Sequence, residues 1–122
     1  MPQKSDKTIL VIDDDSGIRT AMEYMLQDAG YGVITSEDSS IIEKLTTQKV
    51  HLIIIDLLLS GNDGKAVVKK LKSQKSTNKI PVIILSAHPT ADIEAKEAGA
   101  DGFLPKPFNI EDLIGIIQKH VK

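Results

Sequence analysis

The chain has 122 residues, 41% apolar and 26% charged, with no cysteine and no tryptophan, which is the composition of an ordinary globular domain. A chain of this size buries roughly two thirds of the surface its unfolded form exposes, so one core forms without disulfides or a structural metal, and disulfide-framework and zinc-finger readings fall away. Net charge is −2, unevenly placed: residues 1–61 carry 5 basic and 10 acidic side chains, residues 62–122 carry 10 and 7. The apolar runs Leu52–Ile55 and Pro81–Leu85 fall far short of the roughly 20 residues a membrane span needs, and the polar start Met1–Lys7 has no signal-peptide core behind it. A single domain over residues 1–122, cytoplasmic and without membrane contact, is the default expectation.

Thr8–Ile12 is a short apolar, β-branched run and reads as a strand. Ile18, Ala21, Met22, Met25, Leu26 and Ala29 then recur at helical spacing, and Gly30 stands where a left-handed cap is wanted. Tyr31–Thr35 resumes strand character, and Ser39 or Ser40 can cap a second helix carrying Ile41, Ile42 and Leu45. Val50–Ile55, interrupted only by His51, suits a strand covered on both faces. After a turn over Ser60–Gly64, the residues Val67, Val68 and Leu71 mark a third helix with lysines around its outer side. Ile80–Leu85 is a further buried strand, followed by a short helix from about Ala91 to Ala98 that ends at Gly99. Gly102–Leu104 forms a last strand, and Asn109, with Asp112 three residues on, opens a helix bearing Leu113, Ile114, Ile117 and Val121.

Five strands, each followed by a helix, imply crossover connections, hence a doubly wound α/β fold: a five-stranded parallel sheet with five helices on its two faces. In such sheets ligands bind outside the carboxyl ends of the strands. The residues there are Asp13-Asp14-Asp15, Asp56, Ser86 and Lys106-Pro107. Several carboxylates gathered within about 4–6 Å call for a counter-charge, and an all-oxygen donor set points to magnesium or a similar hard cation. A carboxylate nucleophile beside such an ion, a hydroxyl and a lysine suits phosphoryl transfer.

The runs Ile9-Leu10-Val11-Ile12-Asp13-Asp14-Asp15, Asp56-Leu57-Leu58-Leu59 with Asp63-Gly64, Ser86-Ala87-His88, and Ala98-Gly99-Ala100-Asp101 leading into Phe103-Leu104-Pro105-Lys106-Pro107-Phe108 together resemble the receiver domain of two-component response regulators, over about residues 7–121. The resemblance implies the flavodoxin-like strand order 2-1-3-4-5, the order given for a chemotaxis member of this family. It makes Asp56 the acceptor of a phosphoryl group from a phosphohistidine on a sensor histidine kinase or histidine phosphotransfer protein. Asp14 would hold Mg2+ directly and Asp13 through water, with Asp56 and the backbone carbonyl of Leu58 completing the protein's share. Ser86 and Lys106 would contact phosphoryl oxygens, and Ser86 and Phe103 would form the switch that changes the face read by a downstream protein target or by a second copy in a phosphorylation-dependent dimer. The Lys106–Pro107 bond is expected to be cis. No output domain is expected in this chain.

Ser60 stands where family members often have proline. Leu58 and His88 occupy positions that tune hydrolysis in the family, and an apolar Leu58 cannot orient an attacking water, so the phosphorylated form is expected to be long-lived, with Leu58→Asn hastening its decay. The segment from Ser86 to Lys106 is about two residues shorter than usual. An aspartyl-phosphate phosphatase is the enzyme alternative, because Asp13-x-Asp15 mimics a nucleophile and acid pair, but 122 residues leave no room for its cap. A flavin binder would need glycines and hydroxyls where three aspartates stand, and a phosphorylation-independent interaction module would be favoured if a central residue were missing. The lysines at 65, 69, 70, 72, 75 and 79 lack interleaved aromatics and read as a solvated helix face, so no direct nucleic-acid binding is expected. Neither His51 nor His88 has metal-ligand spacing.

Overall fold

The computed structural model describes residues 7–47, 50–59 and 62–121, and their side chains except at 44–47, 58, 59, 62 and 63. In chain order the elements are β1 (Thr8–Ile12), α1 (Ser16–Asp28), β2 (Gly32–Ser36), a run of 3₁₀ turns (Ser39–Thr47), β3 (Leu52–Asp56), β4 (Leu58–Leu59), β5 (Asn62–Asp63), α2 (Gly64–Ser73), β6 (Val82–Ser86), α3 (Ala91–Ala98), β7 (Gly102–Pro105) and α4 (Ile110–His120). Five strands pair in the order β2-β1-β3-β6-β7, all parallel. That is the expected 2-1-3-4-5 order of the flavodoxin-like fold.

Alternation along the strands divides the core between two faces. Leu10, Ile12, Ile53, Ile55, Val82 and Ile84 point to one side, where Val67, Val68 and Leu71 of α2 and Ala91, Ala95 and Ala98 of α3 cover them. Ile9, Val11, Leu52, Ile54, Ile83 and Leu85 point to the other, under Met22 and Leu26 of α1 and Leu113 and Ile117 of α4. Both faces of β3 are therefore dry, which is why its sequence reads as an unbroken apolar run. Each such fully buried aliphatic side chain contributes about 1.5–3 kcal/mol relative to exposure.

The expected fifth helix is not an α-helix. Among the described residues there are four α-helices, and Ser39–Thr47 is wound as 3₁₀. Serine and β-branched residues hold six of its nine positions, Ser39, Ser40, Ile41, Ile42, Thr46 and Thr47, and these are mediocre helix formers. Its first turn is closed by Asp38, whose carboxylate accepts the Ser40 N–H at 2.9 Å, and not by Ser39 or Ser40. The expected turn over Ser60–Gly64 has a two-stranded antiparallel hairpin, β4 with β5, at its edge; Ser60 and Gly61 lie outside the described residues.

Strand bounds shift for identifiable reasons. β6 begins at Val82 because Pro81 has no N–H to donate, although its carbonyl still accepts the Ile53 N–H at 2.9 Å. β3 begins at Leu52, preceded by a reciprocal clasp in which the His51 N–H donates to the Thr8 carbonyl and the Thr8 N–H donates to His51 Nδ1 at 3.0 Å. Helix ends follow the sequence. Gly30 and Gly99 have φ of 99° and 89°, the left-handed region where glycine carries no Cβ penalty. Asn109 and Asp112 form the expected capping box. No helix among the described residues is long and apolar enough to cross a membrane.

Candidate functional site

The carboxyl ends of β1, β3 and β6 and the loop after β7 converge at one rim. β1 delivers Asp13, whose N–H extends the parallel ladder by donating to the Ser36 carbonyl at 3.0 Å. The Asp-Asp-Asp run divides its labour. Asp15 caps α1, its carboxylate accepting the Gly17 and Ile18 N–H groups. Asp13 turns inward and is fully buried, Asp14 is exposed, and Asp56 at the end of β3 is partly buried. One carboxylate oxygen from each of Asp13, Asp14 and Asp56 lies within 4.8 Å of the others.

Lys106 balances part of this charge. Its ammonium lies 3.5 Å from Asp13 Oδ2 and 3.4 Å from Asp56 Oδ2. It reaches the rim because the main chain after β7 is tied back to β6, the Lys106 N–H donating to the Ser86 carbonyl at 2.9 Å; the Lys106–Pro107 bond is cis, as expected. Ser86 is buried at the end of β6, and its Oγ accepts the His88 N–H at 3.0 Å. A hydroxyl that accepts one bond keeps its proton to donate elsewhere.

Burial pushes the Asp13 carboxyl above its ordinary value; the charge of Asp56 acts in the same direction, while the Asp15 N–H bond and Lys106 pull it down. Three carboxylates against the Lys106 ammonium and the Arg19 guanidinium leave the rim short of positive charge. The donor set fits a hard divalent cation. Oxygens on opposite sides of an octahedral Mg2+ are about 4 Å apart, so carboxylates within 4.8 Å of one another can reach a shared ion directly or through a water.

Close packing keeps Asp56 in place from behind. The Gly64 N–H donates to the Leu57 carbonyl at 2.8 Å, and a Cβ on Gly64 would fall 2.7 Å from that oxygen and closer still to the Asp56 carbonyl. Glycine is required there by contact with backbone, not by φ.

The residues singled out from sequence thus assemble at one place, with qualifications for three. The Leu58 backbone lies in β4, but its side chain is outside the described residues. Phe103 is partly buried against the core face that also holds Ile84, and it lines a shallow cavity of about 200 Å³ with Asp92, Ala95 and Lys96. His88 is exposed, with Nδ1 3.0 Å from Thr90 Oγ1, and among the described residues no histidine joins the acidic cluster.

Two residues escaped the sequence reading. Arg19 Nη1 donates to the Asp13 carbonyl at 2.7 Å. Lys72, grouped with the solvated lysines, instead turns inward to Asp101 Oδ2 at 2.6 Å and the Ile80 carbonyl at 2.9 Å, while Asp101 also accepts the Val82 N–H. The partial burial of Lys72 and the Asp101 beside a strand start carry that signal only once the topology is known. Of the other lysines, Lys65 and Lys70 pair loosely with Glu94 and Glu43.

Residues 9–118 match the family model of the response regulator receiver domain. The chain is 33% identical over 114 residues to the DNA-binding transcriptional regulator NtrC of Klebsiella pneumoniae, covering 91% of this chain and 24% of that protein; it spans about a quarter of the length of the curated relatives it matches. The chemotaxis protein CheY4 of Vibrio cholerae has 32% identity and a TM-score of 0.87, covering 96% of this chain and all of that one. The receiver domain of the sensor histidine kinase PA1611 from Pseudomonas aeruginosa PAO1, solved with a magnesium ion coordinated in its active-site cleft, has 28% identity and a TM-score of 0.86, covering 95% and 98%.

Proposed function

This chain belongs to the response regulator receiver domain family, and on that premise we propose that it is a phosphorylation-controlled signalling module in which Asp56 accepts a phosphoryl group from a phosphohistidine donor. The observation that carries this reading is the placement of Asp56 beside Lys106, at 3.4 Å, within a cluster of three carboxylates at the sheet's ligand-binding rim. An Asp56 oxygen attacks phosphorus, the N–P bond of the donor breaks, and the freed imidazole takes up a proton. Lys106 supplies a positive charge where the phosphoryl oxygens arrive, and the Ser86 hydroxyl donates to one of them.

Asp13, Asp14 and Asp56 hold Mg2+, with the Leu58 carbonyl assigned by family resemblance alone. When bound, the ion neutralises the repulsion between an anionic acceptor and an anionic donor. Support comes from the oxygen-only cluster and from the magnesium present in the PA1611 receiver domain. The donor is a sensor histidine kinase or histidine phosphotransfer protein. The output is a change in the surface near Phe103, driven by a gain of about −1.5 to −2 charge at Asp56 and read by a protein target or a second copy of the domain. The chain modifies itself and turns over no external metabolite. A phosphatase with Asp13 as nucleophile is disfavoured, because that carboxylate is fully buried and both its oxygens are engaged.

Intact-protein mass after incubation with Mg2+ and a small acyl-phosphate donor tests the proposal. One phosphoryl adduct is expected on the wild type and none on Asp56→Asn or in the presence of a chelator. An adduct that survives Asp56→Asn refutes it.

A further inference from the structure

Every polar atom of Asp13 has a partner. Its N–H donates to the Ser36 carbonyl at 3.0 Å, Oδ1 accepts the Asp15 N–H at 2.9 Å, Oδ2 faces Lys106 Nζ at 3.5 Å, and the main-chain oxygen accepts from Arg19 Nη1 at 2.7 Å. The last is the shortest of the four, and it comes from a side chain for which the phosphoryl chemistry has no use. Arg19 lies in the first turn of α1, partly buried, with its own N–H donating to the Asp15 carbonyl.

The Asp13 carbonyl belongs to the rigid peptide plane that joins Asp13 to Asp14. Holding its oxygen fixes ψ of Asp13 and φ of Asp14, and with them the direction in which the exposed Asp14 carboxylate leaves the chain. Asp13 is already locked by burial, so the residue that gains direction is Asp14. A guanidinium N–H to a carbonyl is charge-assisted, and such bonds are about twice as strong as neutral ones.

We propose that Arg19 is a positioning residue for the divalent-cation site, holding the Asp13–Asp14 peptide so that the Asp14 carboxylate stays in register with Asp13 and Asp56. This rests on the reading that those carboxylates take Mg2+. Charge and geometry here have opposite signs. As a mere positive charge near the site, the guanidinium repels the cation, and its removal tightens binding. As a positioning group it organises a ligand, and its removal loosens binding, by about 10- to 100-fold for groups that orient metal ligands.

The test is Mg2+ titration of the full chain, followed by amide NMR shifts because the chain has no tryptophan, for wild type, Arg19→Met and Arg19→Lys. Arg19→Met is expected to raise Kd about tenfold or more and, in the metal-free protein, to speed hydrogen exchange at the Asp14 and Asp15 amides. Arg19→Lys, which keeps a cationic donor, recovers most of the affinity. Arg19→Met binding Mg2+ as tightly as wild type or more tightly overturns the proposal, and so does Arg19→Lys as weak as Arg19→Met, which assigns the loss to packing. Should Arg19→Met not fold, Arg19→Gln takes its place with the same expected loss. A wild type with no saturable Mg2+ binding refutes the cation reading itself, which separates the two failures.

Discussion

Asp13→Asn in the metal-free chain is expected to stabilise the fold at neutral pH. Asparagine keeps an oxygen for the Asp15 N–H that Asp13 Oδ1 now accepts at 2.9 Å, and it removes a charge that is wholly buried. At an effective dielectric of about 20, carboxylates within 4.8 Å of one another repel by at least about 3.5 kcal/mol per pair, and Lys106 at 3.5 Å attracts by about 4.7 kcal/mol. With the Arg19 guanidinium on the Asp13 carbonyl adding a second attraction, the charges nearly offset one another, and burial, the largest cause of the raised Asp13 carboxyl, tips the balance against the ionised form. Solvent screens the exposed Asp14, so a net gain of about 1–2 kcal/mol is expected, or about 3–10 °C in Tm for a domain of this size. The sign of the pH dependence follows from the raised Asp13 carboxyl. Between 3.8 and that raised value the folded chain binds more protons than the unfolded one, so wild-type stability falls as pH rises through this window. The gap between variant and wild type is therefore full above the window, shrinks as pH falls through it, and vanishes below 3.8. Melting curves by circular dichroism in chelator across this range measure it, and saturating Mg2+ narrows the gap by stabilising the wild type, with its full set of carboxylates, more than the variant. A variant that melts at or below wild type at neutral pH, or a gap unchanged by pH, refutes the reasoning.

Gly64→Ala forces a Cβ against the Asp56 and Leu57 carbonyls; a loss of about 1–3 kcal/mol by denaturant titration is expected, together with slower phosphoryl acceptance because the acceptor's own backbone is pushed, and unchanged stability would contradict the packing. Lys72→Met removes the bonds to Asp101 and the Ile80 carbonyl at the opposite end of the sheet. It should cost about 1–2 kcal/mol while leaving the rate of adduct formation unaltered, a separation that one thermal melt and one mass time course check.

Most of the fold was legible because burial on both faces leaves a simple record. β3 and β6 are continuous apolar runs, and α1 and α4 carry one apolar stripe each. Ser39–Thr47 was misread because serine at a helix start and three apolar residues look the same whether the turns close at i+3 or i+4; Asp38 and the β-branched residues decide it. The hairpin of β4 and β5 was read as a plain turn because two-residue strands have no periodicity. At the site, Asp13, Asp14, Asp56, Ser86 and Lys106 could be gathered from sequence because parallel strands bring their carboxyl ends together. Arg19 and Lys72 could not, since Arg19 acts on a main-chain carbonyl and Lys72 on another together with Asp101, 29 residues away in the chain. A main-chain acceptor is present at every residue, and only folding selects which one is used.

The central claim is that Asp56 is the group that becomes phosphorylated, and chemical mapping of the adduct tests it most directly. The Mg2+-dependent adduct is reduced with borohydride, which converts an aspartyl phosphate to homoserine, and the modified peptide is sequenced by mass spectrometry. The account predicts homoserine at position 56 and nowhere else. Homoserine at Asp13 or Asp14, with Asp56 intact, would contradict it.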